Sequence, residues 1–438
     1  MEYCNCKKTS KQTNRKSVKL LKKPIITLLV LQQFVFSSAL KEIKIKDISS
    51  NRILSAAQDS TGFIWIGTDE GLNRYDGFSN KVYRSKILDE KTISGNRVWI
   101  THVDKSNTLW VGTDRGVCYY EPNKDVFYRK DLGSRPIHVL EHKEHIFFTT
   151  TNSGVYRFSK KDKSTTRYQF DPLDPFSLSS SKFSEKQKLP IALYDETAWI
   201  GTTNGLNKTS LKTGQTKRLY SGKTKLVKAD TVTALLVVED RLYVGTTKGL
   251  GATDLAFGES VNKNWGKAKS SHIINLFEIP ESGCVGVVMR NQIHLLKEDR
   301  VFQKIKIKKT LEKITTLGMG QYLLSSKKHK NAILLNAEKN EVFHQETSTL
   351  ITGREVFTDR EGGVWVVGES GLVRAGNTKS PVSIEKNIKL KDQKFTKTEA
   401  GLYSLLNKGV TFYNTNLQKK TIIQNDLERN GPNTKIYV

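Results

Sequence analysis

Cysteine, proline, long apolar runs and catalytic motifs are all scarce in this sequence of 438 residues, and each scarcity excludes something. Of the four Cys, Cys4 and Cys6 precede the one extended apolar run, leaving Cys118 and Cys284 far apart. That excludes a disulfide-stapled scaffold and a paired-Cys metal site; two isolated Cys in strand interiors read as small core residues. Nine Pro against 31 Gly supply turns without stiff linkers. No His-Glu-x-x-His, Walker loop or Gly-x-Ser-x-Gly motif occurs. The chain therefore reads as a non-enzyme, with no catalytic residue and no cofactor expected. The densest histidine group, His138, His142 and His145, alternates with Glu141 and Glu144. A strand with a tight turn scatters these over both faces, so a solvated turn is expected and no metal site.

Apolar residues make up 37% and mean hydropathy is negative, which suits many short half-buried strands better than buried helices. The exception is the apolar run at 24–36, which follows a basic, polar start. It ends at Ser37-Ser38-Ala39, small residues at the two positions a signal peptidase reads. This is a signal-peptide layout over residues 1–39, with cleavage near Ala39. The run is short for a bilayer span and holds Gln32 and Gln33, so an uncleaved inner-membrane anchor is the weaker reading. A periplasmic location is expected, with no membrane span beyond the signal segment. Lys and Arg number 71 against 44 Asp and Glu, a formal charge of +27. Residues 1–39 hold eight Lys/Arg and one Glu, which leaves +20 on the remainder. Such a charge favours encounters with polyanions. Export removes nucleic acid from the candidates.

The chain is organised around Asp59-Ser-Thr-Gly-Phe-Ile-Trp-Ile-Gly-Thr-Asp-Glu-Gly-Leu-Asn-Arg-Tyr-Asp76, a turn, a short strand, a tight Gly turn and a second strand. It returns as Asp104-Lys-Ser-Asn-Thr-Leu-Trp-Val-Gly-Thr-Asp-Arg-Gly-Val-Cys-Tyr-Tyr120, then at 199–207, 243–250 and 359–374. Weaker copies fill the gaps. The Trp position falls at 65, 110, 147, 199, 243, 284, 322, 365 and 402, a mean step of about 42 residues. That period, with alternating β-branched and aromatic residues, fits one four-stranded blade of an all-β propeller. In the first unit strands are expected at 53–58, 63–68, 72–75 and 81–83. The expected organisation is a seven-bladed ring over 40–345, then one or two blades of an incomplete second propeller over 346–438. Eight blades over roughly 40–385 is the alternative.

The motif residues read as structural. Trp65, Trp110, Trp199 and Trp365 would fill the wedges between twisted sheets. Asp59 and Gly62 frame a hairpin turn. Gly67 and Thr68, with Gly112, Gly201 and Gly245, form the Gly-Thr turn, and Gly71, Gly116, Gly205, Gly249 and Gly371 permit positive φ just after it. Ligand chemistry is expected one strand earlier, because the inner strand of every blade begins beside the central channel. If Ile53, Val98, Ile137, Ile273 and Ile314 begin those strands, then Arg52, Arg97, Arg135, His272 and Lys313 share one rim. Such a rim would cradle a carboxylate or sulfate, with Arg suited to bidentate contacts.

The block Ile53 to Asp76, with the linking segment Thr92-Ile-Ser-Gly-Asn-Arg-Val98, closely resembles the two-component regulator propeller repeat. Phe176-Ser-Leu-Ser-Ser180 is a further trace, and the likeness covers most of residues 47–413. It implies the extracytoplasmic sensor region of a hybrid two-component histidine kinase that senses glycans. Its expected partner is an oligosaccharide, an acidic one if the basic rim is used, with homodimerisation through propellers as a further expectation. The β-sandwich, second membrane span, kinase and receiver of that family are not found in this sequence, so binding without phosphoryl transfer is expected, as in a truncated remnant. A propeller lyase and a protein-interaction scaffold are the alternatives.

Overall fold

The structure, a computed structural model, describes residues 41–43, 45–185, 187 and 190–255, and from there to 423 chiefly the strands and the segments bordering them. The expected signal segment and the end of the chain beyond 423 lie outside the described residues. The first repeat folds as strands Ile53–Gln58, Ile64–Thr68, Leu72–Tyr75 and Asn80–Tyr83, hydrogen-bonded in chain order as one antiparallel sheet. Each strand ends where Asp, Gly or Asn takes the chain through a tight turn. The same meander recurs at 98–130, 136–168, 191–219, 275–306 and 313–346, while 232–254 carries three strands. All nine Trp positions fall in the second strand of a sheet. The fold is a β-propeller.

Closure differs from the expected seven blades. The strands Glu355–Thr358, Val364–Gly368 and Gly371–Ala375 form an eighth blade whose outer strand is Lys41–Ile43, from the far end of the chain. Their register is Lys41 opposite Arg374, Glu42 opposite Val373 and Ile43 opposite Leu372. The inner strand Glu355–Thr358 lies against the inner strands of blade seven and blade one. The described sheets over 41–375 therefore close as eight blades, the alternative count. The expected second propeller is left with a single described sheet, at 394–423. Counting second strands along the sequence could not reveal this, because the closing strand pairs across nearly the whole chain.

The core lies between blades. Trp65 and Leu72 of blade one pack with Val98, Val111, Cys118 and Phe127 of blade two; Trp110 packs with Phe148, Tyr156 and Phe158 of blade three. Trp199 fills the same wedge against Val232 and Leu235 of blade five, and Trp365 against Ile53 and Ile66 of blade one. Each such indole contributes on the order of 3 kcal/mol by burial. Cys118 and Cys284 are buried core residues, and neither is in a disulfide.

The turn aspartates do more than shape a hairpin. Asp59 accepts from the backbone N–H groups of Thr61 (2.9 Å) and Phe63 (3.0 Å), and its second oxygen takes the Trp65 indole N–H at 2.7 Å. Asp104 and Asp359 hold Trp110 and Trp365 in the same way, at 2.9 and 2.7 Å. The Gly-Thr pair ends the second strand and is not itself a turn, and its glycine serves packing. A Cβ on Gly67 would lie 2.6 Å from Val98 Cγ1, and one on Gly201 would lie 2.4 Å from Val232 Cγ1. The missing side chain makes room for the neighbouring blade's inner strand. The second glycine follows expectation, with φ of 148° at Gly71 and 125° at Gly116.

Candidate functional site

The inner strands begin irregularly. In blades one, two, three and five the ladder to the second strand slips by one residue, between Ile53 and Ser55, Val98 and Ile100, Pro136 and His138, and Val232 and Ala234. The slip leaves Leu54, Trp99, Ile137 and Thr233 outside the ladder, as in a β-bulge, which bends the strand and re-aims a side chain. In blade two that side chain is an indole.

Of the five rim residues expected from the sequence, two meet. Arg97, just ahead of the inner strand Val98–Val103, places its guanidinium 5.8 Å from the Trp99 ring centre. Arg135, just ahead of Pro136–His142 in blade three, places its own 4.3 Å from the same ring. Arg135 also forms an ion pair with Glu185, whose side chain is 64% exposed against 22% for Arg135. Trp99 itself is half-buried, and its indole N–H is shielded from solvent with no hydrogen-bond partner among the described residues.

The other three stand apart from this pair. Arg52 turns to Asp69 of its own blade, 3.6 Å away, with no indole beside it. His272 is exposed and three residues ahead of the inner strand Asn275–Ile279, a later start than the sequence suggested. Lys313 is the first residue of Lys313–Gly318, and its side chain lies outside the described residues. Blades four and five begin their inner strands after Pro190 and Thr231 and present no cation there. Among the described residues the rim is basic ahead of blades one to three, and Asp69 and Glu185 neutralise part of that arc.

Trp99 and Glu185 carry the arrangement and were not singled out by sequence reasoning. A signal for Trp99 existed. Val98, Trp99 and Ile100 are three consecutive apolar residues at the start of the strand, a departure from period-two alternation of the kind a bulge produces. Glu185 had no local signal, since it belongs to a turn between blades three and four. That turn is tied down from Ser184 N to Gln187 Oε1 (2.7 Å), and by the Gln187 amide to the carbonyls of Gly201 (2.9 Å) and Val232 (2.7 Å).

At the other end of the same inner strands, blades two and three share a buried ionic staple. Glu141 accepts from Lys160 Nζ at 2.9 Å and from the Lys105 backbone N–H, and His102 Nε2 lies 3.9 Å from it. Burial pushes the Glu141 carboxyl up, and the Lys160 and Lys105 hydrogen bonds outweigh it, leaving a net lowering. Burial holds the His102 imidazole below its ordinary range, opposed by Glu141 and Asp104. His142 and His145 face each other across the hairpin that begins at Lys143. Among the described residues no cluster of three or more His, Cys, Asp or Glu is placed to hold a metal.

Residues 47–70 match the family described as Two component regulator propeller. The match covers the turn, second strand and following turn of blade one. A 56-residue stretch of this propeller-repeat protein is 38% identical to Histidine kinase P4 of Formosa agariphila, covering 13% of this chain and 4% of the kinase. In structure, the propeller-repeat protein is similar to the extracellular domain of the hybrid two component system BT3049 of B. thetaiotaomicron. The TM-score is 0.51 at 17% identity, over 88% of this chain and 49% of that one. BamB of Moraxella catarrhalis gives a TM-score of 0.53 at 15% identity, over 77% and 99%. These likenesses are likenesses of fold. The propeller-repeat protein spans about half of the BT3049 domain and a small part of the kinase. Among its described residues, no helix is long and apolar enough to cross a membrane.

Proposed function

We propose that this protein is an extracytoplasmic, ligand-sensing propeller that binds an oligosaccharide carrying a carboxylate or sulfate at the inner-strand rim. The convergence of Arg97 and Arg135 on Trp99 carries this reading. A stacked guanidinium loses little freedom on binding and keeps its in-plane N–H groups for a bidentate anion. The half-buried indole offers an apolar surface beside them. The family match to the two-component regulator propeller and the likeness to an extracellular domain of a hybrid two component system support sensing over turnover. In this reading residues 1–39 direct export, and the rim faces the periplasm.

The test is a thermal-shift screen of the purified chain against acidic oligosaccharides and their neutral counterparts. A ligand bound only to the native state raises the melting temperature. Stabilisation by an acidic oligosaccharide, without product formation, is the expected result. Arg97→Ala combined with Arg135→Ala should weaken that binding about tenfold or more and flatten its salt dependence, since hydrogen bonds to charged groups are worth about 1.5–3 kcal/mol each. Unchanged affinity in the double variant would remove the rim, and product formation would replace sensing by a lyase activity.

A further inference from the structure

We infer that Glu185 occupies the anion position of this rim, so that a ligand's carboxylate or sulfate must displace an internal carboxylate from Arg135. The inference rests on the rim reading above and adds a competitor to it. The two members of the ion pair are held in contrasting ways. Arg135 is stacked on Trp99 at 4.3 Å, and its carbonyl accepts from Thr151 N at 2.9 Å, so backbone and guanidinium are both fixed. Glu185 reaches the same guanidinium from a turn of the next linker, with its side chain 64% exposed. The turn is anchored two residues later by Gln187, which is 1% exposed and bonded to the carbonyls of Gly201 and Val232. The Glu185 carboxylate therefore meets water at the rim, on a turn whose position is set by Gln187. Arg97 forms no ion pair among the described residues, and its guanidinium lies 5.8 Å from the centre of the same indole. A cation held by stacking, a second cation over the same indole and an exposed carboxylate paired to the first make an anion site whose resting occupant is part of the chain. An exposed carboxylate paired to Arg is a weak competitor, so the site is restrained and remains open to a ligand.

The test uses sodium sulfate as the probe, titrated against chloride at constant ionic strength. It is followed by fluorine NMR of protein labelled with 5-fluorotryptophan, and Trp99→Phe identifies the Trp99 signal. Sulfate is expected to move that signal. Glu185→Gln, which keeps the shape of the turn, should raise sulfate affinity about two- to five-fold, in line with the strength of an exposed ion pair. Arg135→Lys should lower it in either background while leaving the melting temperature near that of the parent. Equal sulfate affinity in the parent and Glu185→Gln, with the loss in Arg135→Lys intact, would overturn the competitor and leave the rim standing. No effect of Arg135→Lys would overturn both. Sulfate binding with the expected ordering but no response to any oligosaccharide would keep the anion site and reject the glycan as its ligand.

Discussion

At the scale of single residues, the four repeat tryptophans are not equivalent, and hydrogen bonding separates them. Trp110 is fully buried and gives its indole N–H to Asp104, itself 3% exposed. Trp199 is almost as buried, yet its indole N–H has no partner among the described residues. The sequence explains the difference. Asp104 stands six residues before Trp110, while Leu193 holds that place before Trp199 and the aspartate of its shorter hairpin is Asp195. Trp110→Phe should therefore strand a buried carboxylate oxygen and cost about 1–3 kcal/mol beyond the lost ring area. Trp199→Phe, which removes a donor already unpaired, should cost well under that. Trp110→Ala should cost roughly 3–5 kcal/mol. Urea unfolding of the three variants measures this; equal losses for the two Phe variants would show that the aspartate clamp adds nothing.

At the scale of elements, neighbouring blades are also joined outside the apolar wedge. Asp125, in the turn between the last two strands of blade two, accepts from Tyr83 Oη of blade one at 2.7 Å and Tyr120 Oη at 2.6 Å, and from Lys81 Nζ. Burial pushes the Asp125 carboxyl up, but the hydrogen bonds from Lys81, Tyr120 and Tyr83 outweigh it and bring it down to about 2. A carboxyl lowered in the folded state stabilises above the unfolded value, near 4, and that stabilisation disappears as the pH falls toward about 2. The melting temperature of the parent should thus fall more steeply between pH 4 and pH 2 than that of Asp125→Asn. Asn tolerates the left-handed backbone at this position (φ 54°) and carries no titrating group. Parallel pH profiles would remove Asp125 as the cause. Bonds of this kind explain how short strands with only one apolar wedge per blade pair still dock in a fixed register.

At the scale of the whole molecule, closure of the ring rests on three residues. Lys41–Ile43 covers the open edge of Gly371–Ala375, and Ile43 adds its side chain to the cluster formed by Trp365, Val367, Ile53 and Ile66. An uncovered edge leaves backbone groups unpaired and an apolar flank exposed. Deleting residues 41–45 should lower stability by about 1–3 kcal/mol, from the lost pairing and the burial of Ile43. Amide exchange should then accelerate first in the strands Val364–Gly368 and Gly371–Ala375. Exchange unchanged there, with loss spread over the other blades, would show that the ring is not held shut by this strand.

The sequence by itself determined the blade. Asp59, Gly62 and Gly71 specify turn, strand and turn within a dozen residues through partners close to them in the chain, and Asp59 clamps the Trp65 indole six residues on. It also determined which side chains stand ahead of the inner strands of blades one to three, and hence Arg52, Arg97 and Arg135 as a group. Only the tertiary structure decided the rest. The blade count depends on a pairing between residues 43 and 372, which no local pattern encodes. The meeting of Arg97 and Arg135 on Trp99 depends on a bulge and on the spacing of two adjacent sheets. The pairing of Arg135 with Glu185 depends on a turn from the next linker. Repeats write short-range geometry into sequence; a rim assembled from several blades is long-range, and it exists only once the ring has closed.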